Sequence, residues 1–360
     1  MNGIRDAEDA SHIQLHGTGA VQSLERQLAE HFEVRHALCV SSCSMGLLTA
    51  ALALGLRDRE ILAPPLLYGG AISGLLLLGN HLRFCDVDPV TLTLDPKCVR
   101  SSITKNSKAI LAVDLFGVPS DSAELRQIAD EYGLHLISDS AQSLGASRDG
   151  RSSGYRSDAT VVSFTSGKTL FAGEGGAVMT DDSQLYRKLL WHSQHPHRQR
   201  REISLDVYNE VNLNGRINPL AAIWADRVFE TALETLAKWQ ERCLELIACL
   251  NEEGITEPLE YDHIRIVPAF FRLTTSLRHG HEAPELEEVL RRRGFMVRIC
   301  PAAVHPIYND PAFRLQFARR IAGAGSCPVA DAQSQSRVAI EFDRLKPELR
   351  GARVDAARRA

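Results

Sequence analysis

Between residues 37 and 180 short β-rich apolar runs recur along the chain: ALCVS at 37–41, EILA at 60–63, LRFCDV at 82–87, AILAVDL at 109–115, HLISDS at 135–140, ATVVSF at 159–164 and GAVMT at 176–180. Helical segments fit between several of them. Met45–Leu54 is almost continuously apolar, the pattern of a helix buried all round, whereas Ser122–Tyr132 places Leu125, Ile128 and Ala129 on one face. Strands alternating with helices in this way predict an α/β fold with a mainly parallel central sheet covered by helices. Ile61 to Gly79 runs 19 residues without a charge, the length that raises a transmembrane question. Pro64, Pro65 and four glycines divide that stretch, so it reads instead as a buried strand, a loop and a small-residue helix packed on the sheet.

Past residue 180 the pattern changes. A polar, basic stretch, HSQHPHRQRRE at 192–202, precedes a long helical period from about Pro219 to Leu250, and Pro219 suits a first helical turn. Beyond Gly254 the order becomes strand (IRIVPAFFRL), helix (PELEEVLRRRG), strand (FMVRIC), helix (DPAFRLQFARRIAG), an α+β texture. The expected organisation is a large domain over 1–250 and a smaller α+β C-terminal domain over 251–360. The tail from Asp343 to Ala360 has six basic and three acidic residues and little apolar content, and is expected to be solvated and frayed.

The length of 360 residues agrees with about two domains. With 44% hydrophobic and 24% charged residues the chain sits at the globular average, and a net charge of −4 removes the basic footprint of a general nucleic-acid binder. The eight cysteines are scattered through apolar segments without a C-x-x-C pair, so neither zinc nor thioredoxin chemistry is expected and no metal site is assigned. Free thiols of this kind suit a reducing compartment, and MNGIRDAEDASH lacks an apolar signal region, so a cytoplasmic protein with no membrane span is expected.

Two nucleotide-binding signatures are absent. G-x-G occurs at Gly17–Gly19, Gly173–Gly175 and Gly323–Gly325 without the third glycine of a dinucleotide site, and Gly167-Lys168-Thr169 has Val162 where a Walker A loop needs glycine. What stands around Lys168 is more specific. Ser163-Phe164-Thr165-Ser166-Gly167-Lys168 follows a strand, and Gly173-Glu174-Gly175-Gly176 leads into the next one. A lysine so placed can form a Schiff base with a carbonyl cofactor, provided a nearby acid tunes the cofactor's electronics. Asp139, at the end of HLISDS with Gln142 three residues on, is such an acid; read alone it could equally be a helix cap. Ser41-Ser42-Cys43-Ser44-Met45-Gly46 is a small-residue turn able to present backbone N–H groups to a phosphate. His192, His195, His197, Arg198, Arg200 and Arg201 form a basic cluster that reads as a solvated connection, a substrate-phosphate loop or, with no supporting ligand spacing, a metal site.

In order and spacing, SFTSGK with GEGG and the D-x-x-Q of DSAQ resemble the DegT/DnrJ/StrS-type aminotransferases, pyridoxal 5'-phosphate enzymes of fold type I that act mainly on nucleotide-linked keto-sugars. The resemblance spans roughly residues 17–330. It implies that Lys168 holds the cofactor covalently and later moves the proton, that Asp139 pairs with the pyridine nitrogen, that Gln142 lies by the ring and its hydroxyl oxygen, and that Ser163 binds phosphate. Cys43-Ser44 stands where the family usually has Gly-Thr, and Tyr68 falls where an aromatic residue stacks on the pyridine ring. Asn214, in Asn212-Leu213-Asn214-Gly215-Arg216, matches an asparagine that reaches the phosphate held by the neighbouring subunit. Thr165 and Asp114 depart from positions that are commonly histidine and bear on substrate more than on reaction. Dehydratase relatives carry histidine at the Lys168 position, so the lysine favours transamination.

The resulting expectation is a homodimer with active sites shared between subunits, transferring an amino group from an amino acid such as glutamate or glutamine to a nucleotide-linked keto-sugar. A cyclitol or other ketone aminotransferase is the alternative within enzymes. A regulatory protein that keeps the fold without turnover is the alternative of another class.

Overall fold

A computed structural model of the chain describes residues 15–204, 207–261, 264–302, 304–321 and 327–342; the N-terminal MNGIRDAEDASH and the basic tail lie outside them. Seven strands make the central sheet: β1 (His36–Val40), β2 (Glu60–Ala63), β3 (His81–Phe84), β4 (Ser107–Val113), β5 (His135–Asp139), β6 (Ala159–Ser163) and β7 (Gly176–Thr180). Across the sheet they follow the order β1-β7-β6-β5-β4-β2-β3. All are parallel except β7, which runs antiparallel to both of its neighbours. Every residue of β2, β6 and β7 is buried, as expected of strands covered on both faces.

Period-two alternation divides the strand residues between two layers. Leu38, Val40, Leu111, Val113, Ile137 and Val161 face one core, which holds the helices α2 (Cys43–Ala53) and α3 (Gly70–Leu77). Ala37, Cys39, Val162 and Ala177 face the other side with α1 (Ala20–His31), while Ile110, Ala112 and Leu136 pack there against α4 (Ser122–Tyr132). Asp139 and Ser163 keep step with Ile137 and Val161, and so point to the α2 side. The uncharged stretch from Ile61 is β2, a loop and α3. Gly74 lets α3 close on α2, since a Cβ there would stand 2.8 Å from that of Leu48. Among the described residues no helix is long and apolar enough to cross a membrane.

Helix ends follow local chemistry. Asp121 accepts the Glu124 N–H at 3.0 Å to start α4, and Gly133, at φ 64°, stops it. The basic stretch folds as α5 (Pro196–Ile203) rather than as an open connection, with the His195 ring accepting the His197 N–H. The longest helix, α6 (Pro219–Glu253), has 35 residues and spans about 50 Å at 1.5 Å per residue. Its early residues Ala222, Ala225 and Phe229 pack with α1 and β7, and its late residues Cys243, Leu246 and Leu250 pack in a separate core. That core belongs to an antiparallel sheet of β8 (Leu273–Ser276), β9 (Val297–Pro301) and β10 (Arg337–Phe342), ordered β8-β10-β9, with α7 (Ala283–Arg292) against it.

Candidate active site

The C-terminal ends of β1, β4, β5 and β6 meet along one rim of the central sheet, the edge at which open α/β sheets bind ligands. Register puts Val40, Gly176 and Ser163 in one row and Val113 beside Asp139. Gly176 is required there: a Cβ on it would lie 2.5 Å from the Val162 carbonyl oxygen and 2.8 Å from the Cys43 nitrogen. The absence of a side chain thus lets the start of α2 sit directly over the row.

Asp139 is buried at the rim. Its Oδ1 accepts the Ala141 N–H at 3.1 Å and faces the Cys43 thiol at 3.6 Å. Burial and the neighbouring Asp114 carboxylate push its pKa up to about 6, against the Ala141 N–H, the Cys43 thiol and the charge of Lys168, which lower it. Asp114 is itself almost fully buried and accepts from Ser120 N–H at 2.8 Å, Ser140 Oγ at 2.8 Å and Ser143 Oγ at 2.7 Å, while its own N–H donates to the Asp139 carbonyl. Behind the candidate carboxylate stands a second one, wrapped in hydroxyls.

Lys168 sits on the loop between β6 and β7. Backbone hydrogen bonds from Phe164 N–H to Gly175 and from Ala172 N–H to Phe164 pin the loop's base, and Gly167 turns it at φ 82°. The half-buried ammonium lies 4.0 Å from the centre of the Phe271 ring. Desolvation lowers its pKa, with the Asp139 carboxylate chiefly opposing. A free amine is therefore more accessible here than at a surface lysine.

The first turn of α2 supplies the third element. Ser42 caps it by accepting the Met45 N–H, and helix geometry leaves the N–H groups of Cys43 and Ser44 free of intrahelical partners. An eleven-residue helix turns its positive end to the rim. Tyr68 comes to the same place, since a Cβ on Gly70 would stand 2.9 Å from Ser44 Oγ and 2.5 Å from Tyr68 Cε1. The Tyr68 ring is exposed, its face open. Ser163 Oγ pairs with Thr165 Oγ1 at 3.1 Å. Gln142 shares a cleft of about 730 Å³ with Lys168, and its Oε1 accepts the Phe116 N–H at 2.7 Å.

Asn214 is not brought to this cleft in its own chain. It is exposed at φ 51°, and its side chain accepts from Arg216, while the adjacent Gly215 carbonyl accepts the Ser41 N–H before α2. The basic cluster loses a member. Arg198 is fully buried and doubly bonded to Glu25 at 2.8 and 3.0 Å and to Glu202 at 3.0 Å, so it braces α5 against α1 and has no fork left for a ligand. Arg200 lies over the Tyr208 ring, and Arg201 pairs with Glu202. Among the described residues no group of His, Cys, Asp and Glu could hold a metal ion.

Several cleft residues escaped sequence reasoning. Phe271 and Arg272 arrive from the second core and Trp224 and Trp239 from α6, while Phe116 and Gly117, past the end of β4, hold the Ala269–Arg272 segment from behind. Gly117, at φ 88°, is tight against the Phe270 and Phe271 nitrogens, and its carbonyl accepts the Ala269 N–H at 2.8 Å. The run AFFR beside a small-residue turn is the one signal in the sequence; the contact itself joins positions about 150 residues apart.

A half-buried lysine, a buried carboxylate that feels the lysine's charge, and a helix N-terminus beside the Ser44 and Ser163 hydroxyls form a donor set suited to pyridoxal phosphate, and the residues present fit it. Comparison with known proteins agrees on the class. Residues 2–355 match the model of the DegT/DnrJ/EryC1/StrS aminotransferase family, and the chain belongs to that family. It is 30% identical over 68% of each chain to a UDP-2-acetamido-2-deoxy-3-oxo-D-glucuronate aminotransferase of Pseudomonas aeruginosa. It is 35% identical to an L-glutamine:2-deoxy-scyllo-inosose aminotransferase of Streptoalloteichus tenebrarius, over 47% of this chain and 41% of that one. The solved structure of 3-amino-5-hydroxybenzoic acid synthase superposes with a TM-score of 0.74 at 27% identity, covering 96% of this chain and 92% of the other. With four of the first five curated relatives, the alignment spans only 41–51% of the relative's length.

Proposed function

We propose that the chain is a pyridoxal phosphate-dependent aminotransferase that moves an amino group from an amino acid, glutamate or glutamine, to a nucleotide-linked keto-sugar. The observation that carries this reading is the single rim on which Lys168, Asp139 and the start of α2 converge. The cofactor, when bound, supplies an electron sink for the carbanion left as a Cα proton departs. The other parts are the chain's own. Lys168, its pKa lowered by burial, is the amine that holds the cofactor and, once displaced, takes and returns the proton at the reacting carbons. Asp139 stays ionised against a protonated ring nitrogen. Gln142 lies by the ring hydroxyl, Tyr68 covers the ring, and Ser44, Ser163 and the N–H groups of Cys43 and Ser44 receive the phosphate.

An amino-acid donor is supported by Arg272. It lines the Lys168 cleft, donates to the Ala302 carbonyl at 3.0 Å, and among the described residues makes no close ion pair, its nearest carboxylate influence being Glu341, which is itself paired with Arg298. An arginine fork so placed suits a donor carboxylate. The relatives' names support a keto-sugar acceptor; the 35% identity to the scyllo-inosose enzyme favours, as a second reading, a cyclitol ketone in its place.

Within the same reading the protein is a cytoplasmic homodimer whose sites take Asn214 from the partner, divided into a cofactor-binding part over 1–250 and a smaller part over 251–360. Tyr68, Val211 and Leu220, 77%, 93% and 65% exposed, are the apolar surface a second copy would cover. Absorbance tests the proposal. Cofactor-loaded protein should lose its visible absorbance band on adding glutamate or glutamine, and a keto-sugar nucleotide should restore the band. Cofactor that binds but never cycles with any donor would leave a regulatory protein of the same fold.

A further inference from the structure

Cys43 opens α2, is buried, and directs its thiol at a carboxylate instead of at its own helix. Among the described residues both hydrogen bonds to the Asp139 side chain, from Cys43 Sγ at 3.6 Å and Ala141 N–H at 3.1 Å, fall on Oδ1. Oδ2 keeps no protein donor among the described residues. We propose that Cys43 is a positioning residue for Asp139: its S–H fixes Oδ1 against the start of α2 and leaves Oδ2 to the protonated ring nitrogen of the cofactor. The inference rests on the cofactor reading above and deepens it.

Three titratable groups face Asp139: Asp114 from the end of β4, Lys168 from the β6–β7 loop and Cys43 from α2. Asp114 and burial favour the protonated acid, while Lys168 and the thiol favour the carboxylate. The thiol acts as donor throughout, because burial and the Asp139 charge hold its own pKa well above the usual value. With Asp139 near 6, one weak donor matters: without it a larger share of the acid is protonated at neutral pH and cannot pair with a ring N–H⁺. Cys43 also lies under Gly176, whose missing Cβ brings the Cys43 nitrogen to the row of the sheet, so the thiol's place is set by backbone packing.

The test uses three variants and pyridoxal phosphate as probe. Cys43→Ala and Cys43→Val remove the donor, one with a smaller and one with a larger apolar side chain, and Cys43→Ser keeps a donor. Cofactor dissociation constants are measured by titrating each apoprotein between pH 5.5 and 8.5. Ala and Val should bind roughly three- to tenfold more weakly near pH 6.5, as expected for one lost hydrogen bond, and the pH midpoint at which affinity falls should move up. Ser should bind as the wild type does. The second readout needs no cofactor: the ¹³C carboxyl resonance that disappears in Asp139→Asn should titrate at higher pH in Cys43→Ala and Cys43→Val than in wild-type apoprotein. Unchanged midpoints in Ala and Val, or Ser failing as Val does, overturn the role. Wild-type protein that takes up no cofactor sinks the functional reading, and the apoprotein titration still decides the contact between Cys43 and Asp139.

Discussion

A lysine can hold a cofactor without its contacts to the rest of the site, and the site can hold a cofactor without the lysine. Lys168→Ala should therefore retain pyridoxal phosphate through Asp139, Ser163 and the start of α2 while turnover falls by at least the 10²–10⁴-fold that a positioned proton carrier contributes, roughly. Borohydride, which reduces a carbon–nitrogen double bond, should fix the cofactor to the peptide containing Lys168 in the wild type; label on another lysine would refute the assignment. Asp139 carries a separate signature in the apoprotein. Its folded pKa, about 6, lies above the 3.8 of an unperturbed aspartate, so the folded state holds an extra proton between these values. That contribution to stability is fully present below about pH 4 and is lost as pH rises through 6. Removing the charge in Asp139→Asn should accordingly stabilise the apoprotein at pH 8, by about 1–3 kcal/mol from a shift of roughly two units, and the advantage in melting temperature should shrink on lowering the pH to 5. An advantage that does not change between pH 5 and 8 would mean that the folded pKa of Asp139 is not raised, since a group with equal folded and unfolded pKa values adds no pH dependence to stability.

At the scale of elements, α5 shows what patterning alone conveys. Six polar or charged residues and one proline in HPHRQRR left a solvated connection, a substrate-phosphate loop and a metal site all open, yet the stretch is a helix held by a buried ion pair whose partner, Glu25, lies 173 positions away. Nothing local marks which arginine of three is buried. Strands were legible because burial on both faces leaves continuous apolar runs: EILA and GAVMT coincide with β2 and β7, and Ser122–Tyr132 with α4. Lys168, Asp139 and Gln142 were legible because Asp139 closes one apolar strand with Gln142 three residues on, and Lys168 follows another at short spacing. The wall made by Phe271 and Arg272, seated against Gly117, was not, because it depends on how the second core docks. Arg198→Ala should cost about 3–5 kcal/mol, the usual consequence of leaving a buried carboxylate unpaired, read as a lower denaturant midpoint, with donor and acceptor KM unchanged. Glu25→Gln combined with Arg198→Met should recover much of the loss by removing both charges. A raised KM for the nucleotide-sugar in a stably folded Arg198 variant would instead restore this residue to the site.

The whole molecule decides whether one chain makes a complete site. Asn214 stands exposed at positive φ beside the strand that feeds α2, its N–H donating to Asn212 and its side chain, among the described residues, accepting from Arg216, and apolar Val211 and Leu220 flank it at the surface. If Asn214 reaches the phosphate of a second copy across a two-fold axis, each site combines Lys168 of one chain with Asn214 of the other. The defects Lys168→Ala and Asn214→Ala should then complement. In the hybrid dimer one site carries both lesions and the other neither, so about half of the wild-type activity per dimer should return from two impaired parents. Asn214→Ala alone must first prove clearly impaired, with weaker cofactor binding and not only slower turnover. Co-expression of differently tagged chains and two-step purification isolates the hybrid, and subunit exchange is monitored by mass. A hybrid no more active than the mean of its parents places Asn214 in its own chain's site or outside any site, because only a residue contributed across the axis can leave one intact centre in such a pairing.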